Sequence, residues 1–155
     1  MDTIFDAIRA KNLNAVQHFL NMDASLCTSL DSRGSTPLLL ATYYGLEEIS
    51  KLILTYNPDV NAQDGSGNTA LMGVSFKGYT GIAQLLINAG ADVNIQNYNK
   101  ASALIFAATF AQKEMIKLLI KNGADTSATD NKGLTAEMHA KNQGLDFLEL
   151  FQVVQ

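Results

Sequence analysis

A short motif returns along this chain at a constant interval of 33 residues. It begins at Asp31, Asp64, Asn97 and Asp130, and in every copy a Thr or Ser stands five positions after the first residue. The second half of the unit repeats as well, in segments 57–61, 90–94 and 123–127, with nothing inserted or deleted between copies. A fixed period in this range is the signature of a solenoid of stacked supersecondary units. The sequence therefore predicts an extended surface rather than a deep catalytic pocket.

Local chemistry predicts two helices in each unit. The hydroxyl residues that follow the turn motif are suited to cap a helix N-terminus, and they are Thr36, Thr69, Ser102 and Thr135. Pro37 suits the first position of such a helix. A second helix follows in each unit, with apolar residues at helical spacing such as Ile49, Leu52 and Ile53. The Asp-rich segments between units are predicted to form short projecting turns.

These residues together resemble the ankyrin repeat family. The shared pattern is Asp-x-x-Gly-x-Thr-Pro-Leu, a helix of small residues, a Gly, a second helix and Gly-Ala-Asp-Val-Asn. The resemblance implies an all-α ankyrin-repeat solenoid of stacked helix-turn-helix units with short projecting β-turns or hairpins. One departure is systematic, since the family usually has His after Thr-Pro-Leu and this chain has apolar residues there, namely Leu39, Met72, Ile105 and Met138. We expect apolar contacts to replace the hydrogen bonds of that His.

The period divides the chain into a single domain, residues 1–155, with five units. Residues 1–30 are predicted to be an N-terminal capping repeat, in which Asn12 falls where later units place the Gly between helices. Residues 31–63, 64–96 and 97–129 are predicted to be full repeats. Residues 130–155 are predicted to be a C-terminal capping repeat, in which a segment with the apolar residues Leu145, Leu148, Leu150 and Phe151 completes the last helix pair.

Composition narrows the class of protein. The net charge is −4 and the isoelectric point is near 5.0, which argues against nonspecific binding to nucleic acid. Cys27 is the single cysteine, so no intramolecular disulfide can form and a reducing compartment is expected. No apolar segment approaches the length of a membrane span, and the N-terminus lacks the features of a signal peptide. We expect a monomeric cytoplasmic protein that binds neither nucleic acid nor membranes.

No arrangement of residues predicts an enzyme, a metal site or a cofactor. The segment Asp64–Asn68 resembles the start of a calcium loop, but Ser75 stands where the bidentate acid is required. His18, His139 and Cys27 fall on distant parts of a stacked chain, which disfavours a Cys-His nucleophile. No Gly-rich phosphate loop is present.

The aromatic residues suggest a binding surface. In the geometry that the resemblance implies, the projecting turns and the exposed side of the first helices line a concave groove. The predicted partner-binding residues share that surface and are Arg33, Tyr43, Tyr44, Phe76, Lys77, Tyr98, Phe110 and Lys132. Aromatic side chains of this kind are frequent interface anchors. The alternative is that some of the rings only cover the joints between units.

The predicted function is a protein-protein interaction module that binds a protein partner through the groove as an inhibitor, an immunity-type blocker or an adaptor. A chain made only of repeats can act mainly by occupying a surface of another molecule. A ligand-binding or enzymatic protein that uses an inter-repeat pocket near Gly73 is the alternative, and a self-associating structural module is a third possibility.

Two further expectations concern single residues. Lys100 and Ala111 replace glycines of the other units, so we expect them to adopt positive φ. Gly73 lies inside a predicted helix, and we expect the ring of Phe106 to fill the space that Gly73 leaves.

Overall fold

The structure, a computed structural model, describes residues 2–152 and shows helices arranged in pairs. The predicted domain also includes Met1 and residues 153–155, and these lie outside the described residues, as does the side chain of Phe151. The helices are α1 (Ile4–Arg9), α2 (Leu13–Met22), α3 (Pro37–Tyr43), α4 (Glu47–Leu54), α5 (Ala70–Lys77), α6 (Thr80–Asn88), α7 (Ala103–Thr109), α8 (Lys113–Lys121), α9 (Ala136–Asn142) and α10 (Phe147–Gln152). A short 3-10 helix, Ala24–Thr28, follows α2.

Two layers of helices form the stack. The first helices α1, α3, α5, α7 and α9 pack side by side in one row, and the second helices α2, α4, α6, α8 and α10 pack in the other. The core runs between the rows, where Leu38, Leu71 and Leu104 occupy the same buried position in successive units. Within residues 2–152, extended structure is limited to the antiparallel bridges between Gln96 and Ser102 and between Thr129 and Thr135. The predicted all-α solenoid with short hairpin turns is confirmed.

Capping explains where the first helices begin. In each of the last four units the predicted hydroxyl accepts a hydrogen bond from the backbone N–H three residues later. The distances are 3.1 Å from Leu39 to Thr36, 3.2 Å from Met72 to Thr69, 3.2 Å from Ile105 to Ser102 and 3.3 Å from Met138 to Thr135. Such a cap satisfies an N–H group that has no partner within the helix.

The projecting turns are held to one another along the stack. The backbone N–H of Gly65 donates to the carbonyl of Arg33 at 3.3 Å, and that of Tyr98 donates to the carbonyl of Ser66 at 3.2 Å. The amide of Gln63 bridges two turns, donating at 2.8 Å to the carbonyl of Gly67 and at 3.3 Å to that of Gln96. The turns therefore form a continuous ribbon beside the first helices.

Backbone angles settle three of the local expectations. Lys100 and Ala111 adopt φ of 62° and 56°, as predicted. The prediction for Asn12 is wrong, because Lys11 has the positive φ of 56° and Asn12 instead caps α2, accepting from the backbone N–H of Ala15 at 3.0 Å. In the next unit Gly45 with positive φ is likewise followed by Leu46 as the N-cap of α4, so the first unit has the same turn offset by one residue from the 33-residue period.

The last helix buries one of its faces against the stack. Phe147 and Leu150 are buried, whereas Leu148 is 68% exposed. The helix begins at Phe147, so Phe147 and Leu150, three residues apart, share the face that packs against the stack. Of the residues predicted to complete the last helix pair, Leu150 therefore belongs to the core and Leu148 does not.

Candidate partner-binding groove

A groove of about 690 Å³ lies between the first helices and the projecting turns. Its helical wall is formed by α3 and α5, with Phe106 contributed by α7. Its other wall is formed by the turns that begin at Asp31 and Asp64, and Arg9 stands at its N-terminal end. Four of the predicted binding residues line it, namely Arg33, Tyr43, Tyr44 and Phe76.

A ladder of four rings runs across three repeats, with three rings on the helical wall and the fourth, Phe110, beyond the end of the groove. Tyr44 and Tyr43 meet edge to face with centroids 5.9 Å apart, Tyr43 stacks on Phe76 at 6.4 Å, and Phe76 meets Phe110 edge to face at 4.4 Å. These arrangements are the ones that aromatic quadrupoles favour. We call Tyr44, Tyr43, Phe76 and Phe110 the aromatic ladder. It exists because each ring stands at the end of a first helix, next to the turn that leads into the second.

The members of the ladder differ in exposure. Tyr43, Tyr44 and Phe110 are 42%, 48% and 47% exposed. Phe76 is only half-buried rather than substantially exposed, because Tyr43 and Phe110 cover it from both sides. The rings therefore combine the two expectations from the sequence, since they cover the joints between units and also leave an apolar surface open.

Lys77 joins the ladder through its ammonium group. Its Nζ lies 4.6 Å from the centroid of the Tyr43 ring and 5.8 Å from that of Phe76. A cation over an aromatic face is attracted by the ring quadrupole, by roughly 0.5–1 kcal/mol at an exposed site. The side chain remains exposed, so its charge is available beside the rings.

Arg33 lies on the first projecting turn, opposite the ladder. Its backbone N–H donates to Oδ1 of Asp31 at 2.9 Å, and its carbonyl accepts from Gly65, so the backbone is fixed from both sides. Its guanidinium is exposed and has no ion-pair partner within residues 2–152.

Arg9 is a groove residue that the sequence reading missed. Its guanidinium lies 3.6 Å from Oδ2 of Asp31 and 3.9 Å from Oδ1 of Asp6, so it links the first helix to the first turn. The first unit is too degenerate in sequence to place Arg9 by periodicity. The position of Arg9 in the last turn of α1 could have indicated its place in the groove. Arg9 stands two residues before Lys11, just as Tyr43 stands two residues before Gly45.

The structure does not bring Tyr98 and Lys132 into the groove. Tyr98 is 71% exposed and lies on the next turn along, where its ring and backbone cover Gly67. A Cβ added to Gly67 would lie 2.7 Å from Cδ1 of Tyr98, so only Gly permits this close packing. Lys132 is exposed on the last projecting turn. Both residues extend the ribbon of turns beyond the groove toward the C-terminus.

The space left by Gly73 is occupied by a ring other than the predicted one. Within 4 Å of an ideal Cβ on Gly73 the only neighbour is Cδ1 of Tyr43, at 3.4 Å, so the expectation about Phe106 is wrong. The closest ring comes from the preceding unit rather than the following one. This approach lets Tyr43 lie over α5 and reach Phe76.

Two titratable groups near the ends of the stack are perturbed by their surroundings. Burial alone would raise the pKa of Asp130, but the net effect is a lowered pKa. The cause is hydrogen bonding from the backbone N–H of Leu134, from His139 and from the backbone N–H of Lys132. His139 Nε2 lies 2.8 Å from Oδ2 of Asp130. At the other end, burial raises the pKa of the thiol of Cys27, which is a free, buried cysteine.

Comparisons with known proteins agree with this architecture. Among residues 2–152, no helix is long and apolar enough to cross a membrane, and no group of His, Cys, Asp and Glu is placed to hold a metal ion. No curated protein matches the chain by sequence. The family model described as ankyrin repeats (3 copies) matches residues 4–97 and 71–152. The chain therefore belongs to the ankyrin repeat family, whose members are generally protein-protein interaction modules.

Proposed function

We propose that this protein binds a protein partner through its concave groove and acts as an inhibitor, an immunity-type blocker or an adaptor. The aromatic ladder is the observation that carries the proposal. Three of its four rings are more than two fifths exposed, although each is large enough to contribute to a core. A contiguous exposed apolar surface rimmed by polar residues is typical of a protein interaction site.

The ladder is suited to act as a preorganised anchor. Its rings are held by one another and by Lys77, so little side-chain freedom remains to be lost when a partner covers them. Ordering a flexible side chain at an interface costs roughly 0.5–1.5 kcal/mol, which a preordered ring avoids. Aromatic residues near the centre of an interface carry much of the binding energy in many complexes.

The alternative is a ligand-binding or enzymatic pocket near Gly73, and the polar groups of the groove disfavour it. Asp31 and Asp64 each accept two backbone hydrogen bonds within their own turns. Within residues 2–152, no buried side-chain N or O atom lacks a hydrogen-bond partner. A site for a small substrate needs convergent polar groups that are free to bind it. Both turn carboxylates are thus used in the fold, and among the described residues the guanidinium of Arg33 is the one cationic group of the groove lining without an ion pair, which is fewer convergent groups than such a site requires.

The test is capture of partners from a lysate of the source cell with the full chain as bait. The groove variant is Tyr43→Ala with Phe110→Ala, and the matched control is Met22→Ala with Leu148→Ala, which removes exposed apolar side chains away from the groove. We expect the groove variant to lose the partner that the wild type and the control retain. Helix content and cooperative unfolding, followed by circular dichroism, should stay close to those of the wild type, because exposed side chains contribute little to folding.

Two results would contradict the proposal. The first is retention of the partner by the groove variant, which would direct attention to the second helices. The second is loss of stability together with loss of binding, which would show that the rings serve the fold.

A further inference from the structure

The groove side of this acidic protein carries cations without partners. The net charge of the chain is −4. Nevertheless, four cationic side chains on the projecting turns and at the end of α5 are exposed and make no ion pair within residues 2–152, namely Arg33, Lys77, Lys100 and Lys132. Elsewhere among residues 2–152 the pattern is mixed, since Lys51, Lys117 and Lys141 form ion pairs with neighbouring acids whereas Lys11, Lys113 and Lys121 are exposed without one. The four cations differ in their position, beside the aromatic ladder and along the ribbon of turns.

The acids on the same side are engaged by the fold. Oδ1 of Asp31, of Asp64 and of Asp130 accepts two backbone N–H groups in each turn, at 2.9 to 3.0 Å. The second oxygen of Asp31 faces Arg9 and that of Asp130 faces His139, whereas within residues 2–152 only Oδ1 of Asp64 is engaged. Backbone N–H donors and cations offset much of the field of a carboxylate. The exposed acids Glu47, Glu48 and Glu114 instead begin second helices, in the other row of the stack.

Lys77 places a positive charge directly beside the apolar surface of the ladder. Its ammonium lies over the Tyr43 ring and close to that of Phe76, and it is the last residue of α5, beside the open part of the ladder. If a carboxylate of a bound segment pairs with Lys77, the residues next to it in that segment lie against the rings. Apolar or aromatic side chains fit those positions. Arg33 on the opposite wall offers a planar donor group suited to a second carboxylate.

We propose that the partner of this groove is a protein that presents an acidic segment with interspersed aromatic or aliphatic side chains. The inference rests on the proposed function and adds the chemistry of the partner. The apolar side chains of the segment cover the aromatic ladder, and its carboxylates pair with Arg33 and Lys77. Lys100 and Lys132 extend the positive ribbon and attract the segment as it approaches. Complementary charges of this kind contribute mainly to association rate and to choice of partner.

The experiment selects binding partners by their chemistry. A display library of random peptides is selected against the full chain, and the enriched peptides are sequenced and measured by fluorescence anisotropy. We expect enrichment of peptides that combine Asp or Glu with Phe, Tyr, Leu or Ile. Their affinity should fall as salt is raised from about 0.05 M to about 0.5 M, because surface charges are screened over shorter distances.

Variants of the charged residues test the electrostatic contribution to binding. Arg33→Gln with Lys77→Gln should weaken the enriched peptides by about tenfold, which is the scale of two partly exposed charge pairs. Arg33→Glu with Lys77→Glu, selected afresh, should enrich basic peptides instead. Lys113→Glu with Lys121→Glu makes the same change of net charge on α8 and should leave the preference acidic.

Each remaining outcome decides a different question. Enriched peptides that need Tyr43 and Phe110 but are neutral or basic would overturn this inference and leave the proposed function standing. An unchanged preference in Arg33→Glu with Lys77→Glu would also overturn it. Enriched peptides that bind equally well to the Tyr43→Ala, Phe110→Ala variant, or no enrichment at all, would overturn both.

Discussion

Ala111→Gly should stabilise the protein, because Ala111 ends the first helix of its unit in a conformation that suits Gly. Ala111 follows α7 with φ of 56°, while Gly45, Gly78 and Gly144 hold the same place in other units with φ of 71°, 80° and 75°. The Ala111 backbone is fixed there, since its N–H donates to the carbonyl of Ala108 at 3.2 Å. The side chain is exposed, so its removal sacrifices little packing.

The expected magnitude is the difference of two terms. The left-handed conformation costs an L-residue roughly 1–2 kcal/mol. Gly gives the unfolded chain more freedom, which lowers stability by roughly 0.4–1 kcal/mol. The net gain in the free energy of unfolding is therefore about 0.5–1 kcal/mol. For a chain of this size, each kcal/mol raises the melting temperature by roughly 2–4 °C, so we expect an increase of about 1–4 °C.

Thermal and urea unfolding followed by circular dichroism measure this change, and the chain provides matched controls. Gly144→Ala should lower stability by a similar amount, since φ is 75° and nothing lies within 4 Å of the added Cβ. Gly78→Ala should lower it further, because the added Cβ would collide with the amide of Gln112. An unchanged or lower melting temperature for Ala111→Gly, with Gly144→Ala behaving as expected, would refute the reasoning and show that φ at Ala111 relaxes at no cost.

Three other substitutions test the packing and the electrostatics. Gly73→Leu should lower the free energy of unfolding in urea by about 0.5–2 kcal/mol, because the added Cβ already contacts Cδ1 of Tyr43 at 3.4 Å and the atoms beyond it compete with that ring for space, which outweighs the roughly 1 kcal/mol of helix propensity recovered by replacing Gly. Gln112→Ala should cost about 1 kcal/mol in the same assay, because its Nε2 donates to the carbonyl of Phe76 at 3.0 Å; undiminished stability would contradict either prediction. Asp130→Asn tests the lowered pKa of Asp130. Because the pKa in the folded state lies below the ordinary 3.8, ionised Asp130 stabilises the folded protein above pH 3.8, and this contribution is lost as the pH falls through the folded pKa. The variant should therefore unfold more easily than the wild type at pH 7 and lose this disadvantage in acid, and a difference independent of pH would contradict the assignment.

The architecture could be predicted because it depends on local chemistry repeated at a fixed period. Thr36 and Ser102 cap helices because a hydroxyl in that place accepts an N–H wherever the motif occurs. The positive φ of Lys100 and Ala111 followed from the glycines that occupy the same places in other units. Such positions need no knowledge of which side chain packs against which.

The errors arose where neighbouring units decide the outcome. Asn12 was placed by counting residues, but the first unit is degenerate, and its side chain caps α2 instead. Phe106 was expected over Gly73, yet the ring that approaches is that of Tyr43 from the preceding unit, and the sequence of one unit does not reveal which neighbour supplies the contact.

The location of the aromatic ladder within the stack bears on how binding relates to stability. In a repeat protein each unit is stabilised by its own helices and by its nearest neighbours, so the ends open most easily. Tyr43, Phe76 and Phe110 belong to the interior units, whose first helices α3, α5 and α7 each have a helix on both sides. Opening of α10 therefore leaves the ladder intact, whereas loss of α5 removes Phe76 and Lys77 and divides the binding surface. A partner that covers the ladder contacts three consecutive units at once, so binding stabilises the interior joints and has little effect on the ends.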